Sequence, residues 1–325
     1  MRRILINDNI RTIAKDYADN LFTKRQSNFG RPLDNLDSLK NHLNGQGKND
    51  HANYVSNIIT KFYFLLRIEP QYFDRIYLRH FQSLLADNQL IDKFGYKGHN
   101  KAFYDHVVDA MRYDAVRSLE FLPCVKQLGI RTCVYCNAQF AITTEVEPDK
   151  LSGRYELDHF YPKSIYPFLC ISFFNLQPSC SHCNKSKSQN KAKFGLYTTN
   201  YANLSPFEFS LDKASLIKYM LTQNSEDLKI VFNSTDRGLL TDHLKHFHIT
   251  DLYNIQKDIV EEVVWKSKIY NRFYLESLKE SFSRLFANKA DFNRFILGNY
   301  DKPEDIHKRP MAKLTQDIAK QLGLK

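Results

Sequence analysis

The sequence predicts a mainly α-helical chain that carries a small α+β insert of irregular structure near its middle. Apolar residues recur at helical spacing in the first 125 residues and again after about residue 205. The segment between them contains cysteines, prolines and short β-like runs instead. A chain of 325 residues is long enough for one large domain or two to three smaller ones. We therefore expect a helical N-terminal region (1–125), a compact module (126–205) and a helical C-terminal region (206–325).

The N-terminal region has the clearest helical pattern. Its first apolar stripe consists of Val55, Ile58, Ile59, Phe62, Tyr63, Leu65 and Leu66. A second stripe consists of Tyr72, Phe73, Ile76, Tyr77, Phe81, Leu84 and Leu85. Aromatic and aliphatic stripes at this spacing are typical of helices that face a protein core. The polar, glycine-bearing segment 41–50 is predicted to be a loop.

The other two regions give shorter signals. In the module, residues 140–144 and 155–157 are predicted to be strands because they are rich in β-branched and aromatic residues. In the C-terminal region, Asp251 is predicted to cap a long helix whose apolar residues run as far as Leu285. Pro310 is expected to open a last helix that ends before Gly323. No repeat of fixed period is present, which argues against a solenoid.

Composition and charge narrow the function class. Hydrophobic residues make up 43% of the chain and aromatic residues 14%, which is enough for a buried core and excludes a disordered chain. The formal net charge is +10 at pH 7, and the surplus is densest in the module. A basic surface suits a polyanion such as nucleic acid, whose phosphates it can contact. A charge that serves only solubility is the open alternative.

Localisation can also be predicted from the pattern of apolar residues. The apolar runs are far shorter than the roughly 20 residues that a membrane-spanning helix needs. The first eight residues already include polar side chains, so no apolar region of a signal peptide is apparent. We therefore expect a soluble cytoplasmic protein with no membrane partner.

The cysteines predict a metal site. Four of the six form two Cys-x2-Cys pairs, Cys133 with Cys136 and Cys180 with Cys183. Four thiolates on two such turns are typical of a structural zinc site, in which no coordination position is left open. One pair alone would also suit a thioredoxin-like redox motif, which the second pair and the missing βαβ pattern disfavour. Cys124 and Cys170 are expected to be small buried apolar groups.

Several polar residues between and after the cysteine pairs have no role in a purely structural zinc turn. They are Asp158, His159, Asn175 and Asn184. Pro162 follows the histidine by three residues, Leu176 follows Asn175, and Lys187 completes a Cys-Asn-x2-Lys sequence. In this order and spacing, about residues 130–194 resemble the HNH endonuclease family. The resemblance implies the ββα-metal, treble-clef-like core of that family, set between the two helical regions.

The resemblance also implies a role for each polar residue. His159 would be the general base, because an imidazole with a pKa near 6.5 suits proton transfer at neutral pH. Asn175 would orient the imidazole, and the oxygens of Asp158 and Asn184 would bind one Mg²⁺ or Mn²⁺ ion. On a strand, Asp158 and His159 point to opposite faces, which fits their different roles. Asn184 replaces the histidine of the most familiar pattern, so modest metal affinity is expected.

Lysines follow the second cysteine pair. Lys185, Lys187 and Lys191 have no acidic residue among them, and Lys163 lies four residues after His159. Beside a phosphodiester site they are predicted to contact the nucleic-acid backbone. Lys187 is the strongest of these candidates, because it occupies the lysine position of the family pattern. The alternative for each lysine is a solvated helix face.

These observations favour a metal-dependent HNH endonuclease that hydrolyses phosphodiester bonds, with DNA as the expected substrate and RNA left open. The alternative is a catalytically inactive zinc-knuckle module that binds nucleic acid or a protein. The stretch 157–164, with Tyr166 and Pro167, also resembles the HNH subunits of bacterial anti-phage defence systems such as Septu. Septu-type HNH proteins work with an ATPase partner. That resemblance implies a defence effector and an ATPase subunit as its partner.

Overall fold

Helices dominate the computed structural model, which describes residues 1–73, 78–148, 150–286 and 289–324. Small two-stranded sheets lie between the helices. This architecture confirms the expectation of a mainly helical chain with a small β component. Within these ranges, no helix combines the length and the apolar character that crossing a bilayer would require.

The N-terminal region is helical as predicted. Its helices are α1 (Asp8–Asn20), α2 (Pro32–Gly45), α3 (Asn49–Leu66), α4 (Pro70–Tyr72), α5 (Leu78–Leu84), α6 (Asp87–Leu90), α7 (Phe103–Ala110), α8 (Tyr113–Ala115) and α9 (Leu122–Gln127). The first predicted stripe lies on α3, where Val55, Ile58 and Phe62 are buried. From the second stripe, Ile76 and Tyr77 lie outside the described residues.

The loop predicted at 41–50 is wrong in extent. Helix α2 continues to Gly45 and α3 begins at Asn49, so three residues connect the two helices. Leu43 is fully buried, and it continues the apolar stripe that Leu36 and Leu39 form on α2. The packing of α2 against α3 therefore outweighs the polar composition of the segment.

The strands pair two by two. They are β1 (Ile4–Leu5), β2 (Lys93–Tyr96), β3 (His99–Ala102), β4 (Ile142–Glu147), β5 (Lys150–Arg154), β6 (Glu156–His159), β7 (Leu176–Ser179), β8 (Tyr197–Thr198), β9 (Glu208–Leu211) and β10 (Ile230–Asn233). Strands β1 and β8 pair in parallel, and β2–β3, β4–β5, β6–β7 and β9–β10 pair antiparallel. The β2–β3 hairpin interrupts a region predicted to be helical throughout. Lys97 and Gly98 both adopt positive φ at its turn, as a tight hairpin requires.

The module is built from β4–β5, β6–β7 and the short helix α10 (Ser181–Lys187). The strand predicted at 140–144 starts two residues late, because Phe140 forms only an isolated bridge to Thr132. The strand predicted at 155–157 is present as β6. Between β6 and β7 the chain makes two 3₁₀ turns, at Pro167–Leu169 and Phe173–Asn175.

The C-terminal region contains more helices than predicted. They are α11 (Lys213–Thr222), α12 (Arg237–Phe247), α13 (Ile249–Asn254), α14 (Lys257–Ile269), α15 (Arg272–Ser281), α16 (Lys289–Leu297) and α17 (Ala312–Gln321). The single long helix expected from Asp251 is wrong, because Asp251 lies inside α13 and the chain breaks before α14 and α15. Asn271 caps α15 by accepting a hydrogen bond from Tyr274 N. A last helix is present as α17 and Gly323 follows it with a φ of 70°, but the helix begins at Ala312 and not at Pro310.

One continuous apolar cluster joins the three regions. It includes Val55 from the first region, Tyr135 from the second and Phe247 from the third. Cys124 and Cys170 belong to it and are buried, as expected. The module therefore lies against helical segments from both sides of the sequence.

Candidate metal centre and catalytic cluster

The four paired cysteines converge on one point. The Sγ atoms of Cys133, Cys136, Cys180 and Cys183 all lie within 4.8 Å of one another. A tetrahedral zinc ion bound by four sulfurs at about 2.3 Å would place them about 3.8 Å apart. The four cysteines are thus positioned to bind a metal ion, and an all-sulfur shell is a donor set that zinc takes.

Backbone donors support the sulfurs in both turns. The Ala138 amide donates to Cys136 Sγ at 3.5 Å, and the Cys183 amide donates to Cys180 Sγ at 3.4 Å. Cys180 is the N-cap residue of α10, so the helix start carries the second pair. Amide donors favour the charged thiolate over the thiol, which is the form that binds a metal.

The C-terminal region holds the first cysteine turn in place. Asn137 adopts the left-handed conformation, and its side chain donates to the Ile306 carbonyl at 2.8 Å. The same side chain accepts from the Lys313 amide at 2.9 Å. The Tyr253 hydroxyl donates to the Cys136 carbonyl at 2.6 Å. These contacts span more than a hundred residues of sequence, and no local pattern indicated them.

The β6–β7 pair and α10 assemble the predicted polar residues. Asp158 pairs with Gln177 and His159 with Leu176 in the antiparallel register. Helix α10 follows β7 and contacts β6. As a result Asp158, His159 and Asn175 are buried close to the cysteine cluster, and Lys187 of α10 reaches Asp158.

His159 is held as a neutral ring. It is 6% exposed, its Nε2 lies 2.8 Å from the Cys170 carbonyl oxygen, and its ring lies 4.7 Å from that of Tyr113. A carbonyl oxygen only accepts hydrogen bonds, so Nε2 carries the proton and Nδ1 is the unprotonated nitrogen. Burial lowers the pKa of His159 to about 3. The ring is therefore neutral at neutral pH with Nδ1 unprotonated, and its burial opposes protonation.

Asn175 supports His159 through the backbone. Its Oδ1 accepts from the Tyr161 amide at 2.7 Å, and its Nδ2 donates to the Leu169 carbonyl at 2.9 Å and the Tyr161 carbonyl at 3.1 Å. These hydrogen bonds go to backbone groups rather than to the imidazole. Leu169 precedes Cys170, whose carbonyl binds the ring. Asn175 thus fixes the loop that positions His159, which is less direct than the predicted contact.

The side chain of Asp158 contacts other residues than the ring of His159 does, because adjacent side chains on a strand point to opposite faces. It is 5% exposed, and its carboxylate accepts from the hydroxyl of Tyr135, a residue inside the first cysteine turn. Lys187 Nζ lies 3.2 Å from Oδ1 and 3.1 Å from Oδ2. Burial raises the pKa of Asp158, and the Lys187 charge opposes that shift.

Lys187 is where the structure differs most from the predicted site. It is fully buried, so it does not present a surface charge to nucleic acid, and it neutralises Asp158 instead. Both carboxylate oxygens of Asp158 are engaged in this conformation, by the Lys187 ammonium and the Tyr135 hydroxyl. Asn184 is half-buried and lies one helical turn before Lys187, on the same face of α10.

The other three predicted lysines are accessible to different degrees. Lys185 and Lys191 are exposed, and Lys163 is half-buried. Lys191 Nζ donates to the Tyr161 hydroxyl and lies 4.1 Å from the centre of that ring. A phosphate could reach these ammonium groups without any rearrangement of the core.

A cavity of about 470 Å³ lies beside Tyr113. Tyr113, whose ring contacts His159, lines it together with Lys163 of the module. The N-terminal region adds Lys97 and Arg112 to its lining. No sequence pattern indicated this cavity, because its walls come from segments that are distant along the chain.

Comparison with known proteins gives one local similarity. Over 67 residues, or 21% of this chain, the sequence is 38% identical to the Septu protein PtuB of Bacillus thuringiensis. The similar part covers 23% of that relative, so the chain matches less than a quarter of its length. No family model matches the sequence, and no solved structure matches the chain. The similarity supports a relationship to the Septu proteins over this part of the chain.

Proposed function

We propose that this chain is an endonuclease of the HNH type that hydrolyses phosphodiester bonds, with DNA as its substrate. The observation that carries the proposal is the state of His159. Its ring is neutral, and its tautomer is fixed by the Cys170 carbonyl. It stands on β6 beside a four-cysteine cluster that can hold the strand and α10 together.

The chain's own residues account for proton transfer. In the proposal, Nδ1 of His159 takes a proton from the water that attacks the phosphorus, while Nε2–H keeps its bond to the Cys170 carbonyl. The imidazolium that forms is stabilised by that carbonyl. The bond from phosphorus to the leaving sugar oxygen breaks, and that oxygen takes up a proton from a solvent water. Asn175 keeps the loop of Leu169 and Cys170 in place during the step.

Two metals belong to the proposal, with different roles. We assign a structural zinc ion to the four cysteines, because four thiolates leave no open position for a substrate. We assign Mg²⁺ or Mn²⁺ to Asp158 and Asn184, whose oxygens are the donors that hard cations prefer. The second assignment requires Asp158 to leave Lys187.

The substrate would approach from the cavity beside Tyr113. Lys163 and Arg112 line it, together with Asp105, Asp109 and Asp114, and Lys185 and Lys191 lie exposed on the module. Ammonium and guanidinium groups in these positions suit the phosphates of a nucleic-acid backbone. The net charge of +10 favours the same class of partner.

Plasmid nicking tests the proposal. The full chain is incubated with supercoiled plasmid and either Mg²⁺ or Mn²⁺, and His159→Ala is compared with the wild type. We expect the variant to lose at least about a hundredfold in rate, the usual contribution of a general base. His248→Ala, at an exposed histidine after α12, is the matched control and should cleave normally. Equal cleavage by the wild type and His159→Ala would remove His159 from the mechanism.

A second candidate function is a non-catalytic module that binds nucleic acid or a protein. The burial of His159 and the pairing of Asp158 with Lys187 favour it. The two functions separate in one assay with labelled DNA and RNA. Binding that persists with no cleavage of either, in Mg²⁺ and in Mn²⁺, supports the binding module and excludes the nuclease.

We further propose a role in anti-phage defence, together with an ATPase partner. The local similarity to a Septu protein supports the defence role. The ATPase partner rests on the resemblance of residues 157–167 to the HNH subunits of such systems. Bacteria that carry the chain with the genes next to it should resist phages, and His159→Ala should abolish the resistance. ATP hydrolysis by a complex purified through this chain would identify the partner. Resistance that is unchanged in the variant would contradict a nuclease effector.

A further inference from the structure

Lys187 places a fully buried ammonium group against the carboxylate of Asp158. Its three contacts are to Asp158 Oδ1 at 3.2 Å, Asp158 Oδ2 at 3.1 Å and the His159 carbonyl oxygen at 2.7 Å. An ammonium group has three donors, and each has an oxygen here. Nζ is almost equally far from both carboxylate oxygens, so it sits in front of the carboxylate rather than at its edge.

The remaining surroundings leave little room for a second cation. The Tyr135 hydroxyl donates to Oδ2 of Asp158, and Gln177 holds that hydroxyl with a 2.7 Å hydrogen bond. Asp158 is 5% exposed. A divalent ion binds a carboxylate oxygen at about 2.1–2.5 Å, which would bring it close to the Lys187 ammonium in a poorly screened interior. The two cations therefore exclude each other.

We propose that Lys187 is an internal cation that competes with the divalent ion for Asp158, so this conformation is a latent form of the enzyme. The inference rests on the proposed function, because it concerns the metal that a nuclease of this type would use. Metal binding then requires the end of α10 to move and to withdraw Lys187 from the interior.

The residue after Lys187 is suited to such a movement. Ser188 ends α10 with φ 51° and ψ −131°, a conformation that glycine adopts readily and serine rarely does. Ser188 to Lys191 are exposed. Strain at Ser188 disfavours the latent form relative to one in which α10 is shorter. Ser188→Gly should relieve the strain and hold Lys187 on Asp158 more firmly.

Mn²⁺ affinity tests the competition without any reading of activity. The zinc-loaded full chain is titrated with Mn²⁺, and free Mn²⁺ is measured by electron paramagnetic resonance. Lys187→Met should bind one Mn²⁺ ion at least tenfold more tightly than the wild type, and Ser188→Gly should bind it more weakly. Lys245→Met, at an exposed lysine of α12, should match the wild type. Adding Asp158→Asn to Lys187→Met should abolish the tight binding.

The outcomes separate the inference from the proposed function. Equal Mn²⁺ affinity in the wild type and in folded Lys187→Met overturns the competition, even if the wild type cleaves DNA. Tight Mn²⁺ binding by Lys187→Met, with no cleavage by any variant, supports the competition and counts against the nuclease. If Lys187→Met does not fold, the Mn²⁺ affinity of Ser188→Gly tests the competition instead, because this variant keeps the ion pair of Lys187 with Asp158. Tighter Mn²⁺ binding by Ser188→Gly would overturn the proposal.

Discussion

Asn175 and His159 are joined through two consecutive carbonyl groups of one loop. The Asn175 amide binds the carbonyl of Leu169, and the His159 ring binds the carbonyl of Cys170. A displacement of the loop would therefore alter the direction of the ring. The position of the candidate base thus depends on an asparagine whose hydrogen bonds go to the backbone.

Replacing Asn175 by alanine should destabilise the protein. The change leaves the amide and carbonyl of Tyr161 and the carbonyl of Leu169 without their buried partner. The Leu169 carbonyl keeps a hydrogen bond from the Ser172 amide, so two groups lose their partner. At about 1–3 kcal/mol for each unsatisfied buried group, we expect the free energy of unfolding to fall by about 2–6 kcal/mol. Urea unfolding measures the change. Asn44→Ala, at an exposed position of α2, should leave it within about 0.5 kcal/mol.

Metal content should depend on the four converging cysteines. The wild type purified without chelator should contain one zinc ion per chain, and Cys183→Ser should contain much less because one thiolate is lost. Elemental analysis by mass spectrometry gives the ratio. Cys124→Ser changes a buried cysteine outside the cluster and should keep the full zinc content. Zinc retained in Cys183→Ser would argue against the four-sulfur site.

Buried histidines, His243 and His307 as well as His159, should make folding stability depend on pH. Burial lowers the pKa of His243 to about 3 and that of His307 to about 4, against about 6.5 in the unfolded chain. Their stabilising contribution is complete above pH 6.5. Below it the unfolded chain binds protons that the folded chain does not, so stability falls by about 1.4 kcal/mol per pH unit for each histidine.

Urea unfolding between pH 7.5 and pH 5 measures this dependence. His307→Gln should lower the slope by about 1.4 kcal/mol per pH unit relative to the wild type. His248→Gln changes an exposed histidine and should retain the wild-type slope. A slope that His307→Gln leaves unchanged would contradict the assignment of that proton.

Exposed lysines of the module should contribute to nucleic-acid affinity through phosphate contacts. Lys185→Gln combined with Lys191→Gln should weaken DNA binding for every sequence. It should also reduce the slope of log affinity against log salt by about 2. Fluorescence anisotropy in the His159→Ala background measures binding without cleavage. The matched pair Lys213→Gln and Lys229→Gln, exposed in the C-terminal region, should keep the wild-type slope.

The sequence predicted those features that follow from the spacing of neighbouring residues. Two Cys-x2-Cys turns bring their own sulfurs together, so the cluster of four could be predicted from Cys133 to Cys183. The apolar stripe of α3 likewise specifies a helix whatever it packs against. Within α3 and within each Cys-x2-Cys turn the determining contacts lie within a few residues of the chain, whereas 43 residues separate the two turns that meet at the cluster.

Long-range contacts decided the features that the sequence did not predict. Lysine is usually a surface residue. Lys187 is buried because it pairs with Asp158, which lies on β6. Tyr113 covers His159 from a helix 46 positions earlier in the chain. The β2–β3 hairpin was missed because Lys97 and Gly98 are not the usual turn pair. These contacts depend on the packing of separate segments.

The hydrogen bonds of Asn137 to Ile306 and Lys313 limit the transfer of this module into another protein. A fragment of residues 126–205 would expose the polar edge of its first cysteine turn to water. It would also lose the Tyr253 hydroxyl that supports Cys136. The module is therefore not transplantable by itself, and a working chimera would have to include the chain as far as α17.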